Sequence, residues 1–174
     1  MIEEKMVRNQ GMSLIELLVA VAVLGIAMIG ITALLGFSSK YFANSSKEVE
    51  IQSELQTTFA LINNMVVDAN VSITFDSGSK KATIVNSTTT YVVQLSGTKL
   101  YAKAYDASAS PSEIAAGPVD SNGNNLVADH IVAFSLDKTH IADGYVTLHL
   151  KASYSGREAE MARNVFLRNA YAFS

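Results

Sequence analysis

Residues 11–39 read GMSLIELLVAVAVLGIAMIGITALLGFSS, and residues 17–39 carry no charge. As a helix rising ~1.5 Å per residue, these 23 residues span about 35 Å, enough to cross a hydrocarbon core of ~30 Å. The run is too long and too uniform for the core helix of a small domain. Gly25, Gly30 and Gly36 would weaken a helix in water but are common in membrane helices. There small residues also let helices approach closely. A secretory signal peptide fits poorly. Its apolar core would be 7–15 residues long, behind a basic start and ahead of a small-x-small cleavage site. Here the core is longer, no such site follows Phe37, and the first ten residues mix Glu3 and Glu4 with Lys5 and Arg8. A lipoprotein signal needs a cysteine, and the chain has none. An uncleaved anchor remains, or a segment processed on its polar side.

The whole chain has 174 residues, the length of one domain with an appendage. Hydrophobic residues make up 49% and charged residues 17%, below the usual ~25% charged. Mean hydropathy is +0.22, and the run at 17–39 accounts for that excess. Net charge is −3, which disfavours a nucleic-acid binder acting through bulk basic charge. Without cysteine there is no disulfide framework, thiolate metal site, cysteine nucleophile or lipidated cysteine.

Glu16 is the anomaly at the head of the run. It lies among Leu14, Ile15, Leu17 and Leu18, where an ionised carboxylate costs up to about 2.5–3.5 kcal/mol at the bilayer centre and less toward the interface. No Lys or Arg lies within one helical turn. A cut between Gly11 and Met12 would create an α-amino group four residues from Glu16, able to pair with it in the same chain or in a neighbour. The plainer alternative places Glu16 at the headgroup level.

A short polar leader ending in Gly11, then Met12-Ser13-Leu14-Ile15-Glu16 and an unbroken apolar run, resembles the class III signal of type IV pilins and type II secretion pseudopilins. The family pattern is Gly, a cleavage point, Phe-x-x-x-Glu; here Met12 stands where Phe is commoner. Lys5 and Arg8 ahead of Gly11 also fit. The resemblance implies that a separate prepilin peptidase cuts after Gly11 and that Met12 is N-methylated. It implies that Glu16 neutralises the terminal amine of an adjacent subunit in a filament core. It also implies partners: other pilin subunits, a plasma-membrane assembly platform and membrane lipid, with no cofactor.

Downstream the pattern stays helical but turns amphipathic. Ile51, Leu55, Phe59, Ile62, Val66 and Ala69 recur at spacings of 4, 4, 3, 4 and 3, with polar residues between them. No proline interrupts residues 12–70, and a continuous helix over them would be roughly 85 Å long. The radius of gyration of a ~100-residue globule is only ~13 Å, so part of that helix is expected to project. After Asn70 the period becomes two. Strands are expected over 71–75, 82–85, 90–95 and 100–105 as a meander, then over 131–136, 145–154 and about 158–169. Val146, Leu148, Leu150 and Ala152 form an inward set. Both prolines, Pro111 and Pro118, lie in 106–125, which reads as a long loop.

The expected fold class is α+β: a long N-terminal transmembrane-plus-amphipathic helix packed on an antiparallel β-sheet, which is pilin-like in layout. The expected parts are a leader at 1–11, a transmembrane and filament-core helix at 12–39, and an extracytoplasmic domain at 40–174. That domain divides into a helical half at 40–70 and a sheet region at 71–174. Residues 145–150 and Arg163-Asn-Val-Phe-Leu-Arg-Asn169 resemble the end of minor pilins of the secretion "J" and pilus "W" types, loosely.

Other chemistry finds little footing. His130, His140 and His149 are ten and nine residues apart on different elements, without metal-ligand spacing, so local bonding is expected and no metal. Asp120-Ser-Asn-Gly-Asn resembles half a calcium loop. Its sixth position is Asn125 rather than Gly and no Glu closes it, so an Asx turn is the simpler reading. Nucleophile-elbow, P-loop and dinucleotide-binding motifs are absent from the sequence, and no enzyme is expected. Lys80, Lys81, Lys99 and Lys103 are read as a weakly basic sheet edge. The expected function is a structural minor pilin or pseudopilin subunit of a pilus or secretion-like filament. The alternative is a signal-anchored adhesin or a DNA- or receptor-binding domain that never polymerises.

Overall fold

The computed structural model describes residues 13–168. They divide into two compact units that part between Asn44 and Ser45. The described part of the first unit is helical from Leu14 onward. Helix α1 (Leu14–Val67) starts after Ser13, whose carbonyl accepts from the N–H groups of Glu16 (3.0 Å) and Leu17 (3.1 Å). Every residue of 13–46 is exposed. The stretch is rich in Val and Ile, which are mediocre helix formers in water. In an apolar medium helix is favoured, because it satisfies every backbone group within the segment. Two hydroxyls in this stretch behave accordingly. Thr32 donates to the carbonyls of Met28 (3.0 Å) and Ile29 (2.9 Å), and Ser39 to that of Leu35 (3.0 Å).

The second unit holds the last turns of α1 and eight antiparallel strands in two sheets. One sheet has β1 (Ser72–Asp76), β2 (Lys81–Val85), β3 (Thr89–Ser96), β4 (Lys99–Asp106) and β5 (Leu126–Ala128) in that spatial order. The other has β6 (Ile131–Asp137), β7 (Tyr145–Tyr154) and β8 (Arg157–Phe166). The face of α1 bearing Ile51, Leu55, Phe59, Ile62 and Val66 is buried. It joins Ile84, Val93 and Leu100 of the first sheet and Leu148 and Leu150 of the second in one core. Each such side chain contributes about 1.5–3 kcal/mol by burial. The Arg163 guanidinium stands 5.9 Å from the Phe59 ring, covering the rim of this contact.

Local chemistry sets the turns. At 76–80, Asp76 accepts from the Gly78 N–H (3.0 Å) and the Ser79 hydroxyl (2.6 Å). Ser155 and Gly156 both have positive φ, 52° and 79°, the pairing that a two-residue hairpin between right-twisted strands requires. β8 pairs only with β7 among the described residues. Its Arg157, Glu158, Glu160 and Arg163 charge what would otherwise be a bare edge.

The α+β layout expected from the sequence is present, and Val146, Leu148, Leu150 and Ala152 are all fully buried. Four details differ. The helix stops at Val67 rather than at residue 70, where Asp68–Asn70 turn the chain into β1. The strands form two sheets rather than one, because β5 has only three residues and the chain then bends through Asp129 and His130. β6 continues into a hairpin with β7 and meets the first sheet through the Ile131 N–H to Thr98 carbonyl bond (2.9 Å). The expected loop at 106–125 contains helix α2 (Pro111–Ala116). A capping box explains it: Ser110 accepts from the Glu113 N–H, Glu113 accepts from the Ser110 N–H, and proline stands at the helix start. Finally, the four lysines do not line an edge: Lys80 lies in the turn before β2. β2 and β4 are interior strands, Lys81 donates to the Ala115 carbonyl (3.2 Å), Lys99 lies 3.9 Å from Asp129, and Lys103 lies over the Tyr105 ring at 4.8 Å.

Candidate functional site

The apolar half of α1 is the chemically unusual part of the molecule. Its large side chains face outward without cover, from Leu14 (82% exposed) through Ile26 (72%) to Phe37 (75%). Glu16 is the only charged residue in 14–39. It lies in the first turn of the helix, where the unpaired N–H groups and the helix dipole favour an acid. This favourable end effect adds to the reason for an acid there, and it leaves the carboxylate free to meet a cation. Gly11 and Met12, the expected cleavage and methylation positions, lie outside the described residues. So does Asn169 of the C-terminal resemblance. Gly25, Gly30 and Gly36 have nothing within 4 Å of the place a Cβ would take, so no packing within the chain requires their lack of a side chain.

The structure does not bring the three histidines together. Each meets a different carboxylate: His130 Nδ1 with Glu54 (2.9 Å), His140 Nδ1 with Asp143 (2.9 Å) and His149 Nε2 with Glu160 (2.8 Å). The half-calcium loop is closed on itself. Asp120 accepts from the Asn124 N–H (3.1 Å) and from the Asn125 side-chain amide (3.2 Å), an Asx arrangement that occupies both carboxylate oxygens.

Nothing in the sequence pattern singles out Glu54, one of the polar positions of the amphipathic stretch. In the fold its carboxylate straps α1 to the bend between β5 and β6. It accepts from the Asp129 N–H (2.6 Å), the His130 N–H (3.3 Å) and the His130 ring. The His130 ring lies against Tyr154, 4.2 Å between centroids. Partial burial pushes the Glu54 carboxyl up, but the bonds from Asp129 and His130 outweigh it and hold the group below its ordinary value. Beside it is an open cleft of about 380 Å3 lined by Glu50, Ser53, Thr57, Thr58 and Val127. The strap is a structural device: its acceptor capacity is taken up by the chain's own donors.

The apolar half of α1 is long and apolar enough to cross a membrane. No curated protein and no solved structure matches the chain. A family model does match, over residues 6–32, and its description is "Prokaryotic N-terminal methylation motif". The matched stretch covers Gly11, Met12, Glu16 and most of the charge-free run. Motif and apolar helix together support membrane anchoring of the chain and its processing by a prepilin peptidase. The chain carries the prokaryotic N-terminal methylation motif, the class III signal typical of type IV pilins and pseudopilins.

Proposed function

We propose that the chain is a structural minor pilin or pseudopilin subunit, without catalytic activity, of a type IV pilus or a type II secretion-like filament. In this reading the peptidase cuts between Gly11 and Met12, Met12 is N-methylated, and the second unit faces the extracytoplasmic side. The filament is then built by bundling the helices of residues ~12–40. One observation carries the reading: the matched motif runs without a break into an exposed apolar helix whose only charge in 14–39 is Glu16.

The mechanism is electrostatic registry. Apolar helices slide past one another at little cost, because dispersion contacts are similar at neighbouring offsets. A carboxylate inside such a bundle has no water, and only a cation brought to it offsets the loss of hydration. The new α-amino group of a neighbouring subunit is that cation. Pairing it with Glu16 fixes the axial offset between subunits. A minor rather than a major subunit is supported by the loose C-terminal resemblance and by Met12 at the first mature position.

N-terminal sequencing with intact mass measurement of the protein from its native host tests the reading. The expected product begins at N-methylated Met12. Recovery of an intact leader would overturn the filament assignment and leave a signal-anchored adhesive or receptor-binding domain as the better description.

A further inference from the structure

Where the charge-free run ends, α1 continues without a break through Phe37-Ser38-Ser39-Lys40-Tyr41-Phe42. Three aromatic rings and one cation fall within six residues. Phe37, Tyr41 and Phe42 are 75%, 75% and 71% exposed, and none of them joins the core. Phe37, Lys40 and Tyr41 lie at i, i+3 and i+4 and so share one face of the helix. Lys40 is the first charge after Glu16 and makes no ion pair among the described residues. Below it is a recess of about 220 Å3 lined by Thr32, Ala33, Gly36, Phe37 and Lys40. The recess is apolar in character, because the Thr32 hydroxyl already donates to carbonyls of its own helix.

The lengths decide the occupant. Glu16 and Lys40 are 24 residues apart, about 36 Å along a helix, against a hydrocarbon core of ~30 Å and ~40–45 Å with headgroups. With Glu16 at one headgroup layer, Lys40 reaches the other, within the span of its flexible stem. Tyrosine is favoured at that depth because its ring is apolar and its hydroxyl wet. A lysine there meets lipid phosphate.

We infer that residues 37–42 form an interfacial anchor that binds the bilayer itself. The Lys40 ammonium pairs with lipid phosphate, the Phe37, Tyr41 and Phe42 rings sit at the headgroup boundary, and an acyl chain lies along the recess at Gly36. This anchor sets the depth at which the unassembled subunit waits. The inference rests on the membrane span read from the first half of α1.

The chain contains no tryptophan, so single substitutions report without background. The full chain is reconstituted at low protein density in vesicles of phosphatidylcholine and phosphatidylglycerol carrying bromines either near the headgroup or deep in the acyl chains. Tyr41→Trp is expected to be quenched about twofold more by the shallow label than by the deep one, and Met28→Trp, at the centre of the run, the reverse. Lys40→Glu is expected to lower the preference for spin-labelled phosphatidylglycerol over phosphatidylcholine at the protein surface about fivefold. If Tyr41→Trp escaped both labels while Met28→Trp met the deep one, the anchor would be overturned and the span would stand. The segment would then be covered by a second copy of the chain. Equal deep quenching at both positions, or an unchanged lipid preference in Lys40→Glu, would also overturn it. Escape of both tryptophans would remove the span and the anchor together.

Discussion

One helix, α1, supplies two regions under different physical rules. In 13–46 every residue is exposed, although most are apolar. From Ile51 to Val66 the large apolar residues Ile51, Leu55, Phe59, Ile62 and Val66 share one face, and that face is buried. The second half satisfies its own hydrophobicity within the chain. The first half does not, and large exposed apolar surfaces mark contact with a membrane or a partner. The two halves teach that a single element can be continuous in hydrogen bonding yet divided in what stabilises it. Packing against the sheets holds the second, and an apolar environment supplied from outside holds the first.

The largest effect expected from breaking this contrast is at Glu16. Glu16→Ala removes the only charge of 14–39. Membrane insertion should persist, because the run becomes more apolar. Incorporation into filaments should fall at least about tenfold, since an unpaired buried amine costs roughly 3–5 kcal/mol. Immunoblotting of sheared filaments against the membrane fraction measures both quantities. Unimpaired incorporation would remove Glu16 from the role assigned to it.

A pair of truncations sharpens the comparison directly. Ile62 is fully buried, and Ile62→Ala should lower the unfolding free energy of the full chain in mild detergent by about 2–5 kcal/mol. Ile29, 71% exposed, should tolerate the same change with a shift below about 0.5 kcal/mol. Urea unfolding followed by tyrosine circular dichroism reads chiefly the second unit, which holds Tyr91, Tyr101, Tyr105, Tyr145 and Tyr154, against Tyr41 in the first. Equal costs at the two sites would refute the division.

The Glu54 strap comes next. Glu54→Gln is expected to cost about 1–3 kcal/mol in the same unfolding experiment, because a charged acceptor of backbone N–H groups is replaced by a neutral one. Its sign with pH follows from a folded-state pKa lowered below the unfolded one. The stabilisation is present above the ordinary glutamate value of about 4.3 and is lost as pH falls through the lower folded value. The Gln variant should therefore lose part of the acid sensitivity expected below about pH 5. Asp76, Asp106 and Asp137, each held low by bonds from residues two or three positions on, should keep the remainder. The smallest effect is at the capping box: Ser110→Ala should cost about 1 kcal/mol or less, seen as faster amide exchange in Pro111–Ala116 rather than as global unfolding.

How legible the molecule was depended on whether the signal was local. The run at 17–39, the acid at 16 and the 4-4-3-4-3 spacing of the amphipathic half are patterns along the chain, and the structure shows helix at all of them except Ala69, the last position of that spacing. The alternation at Val146, Leu148, Leu150 and Ala152 likewise announced a buried strand face. Helix α2 was also legible, since Ser110-Pro111-Ser112-Glu113 has the spacing of a capping box, but two prolines and many small polar residues around it suggested a loop. The edge that Lys80, Lys81, Lys99 and Lys103 were expected to form was not legible. Which strands are interior depends on the order β1-β2-β3-β4-β5, a set of long-range pairings.

The sequence by itself determined the membrane-anchoring signal, the first half of α1 and the separation of a polar domain. These follow from hydrophobicity and period, which each residue carries wherever it is placed. Only the tertiary structure decided that the strands split into two sheets sharing one core. It alone decided that each histidine meets its own carboxylate and that Glu54, 75 residues from Asp129, ties the helix to the bend between β5 and β6. Those outcomes are contacts between distant positions, fixed when the core packs, and no local pattern encodes which acid will face which N–H.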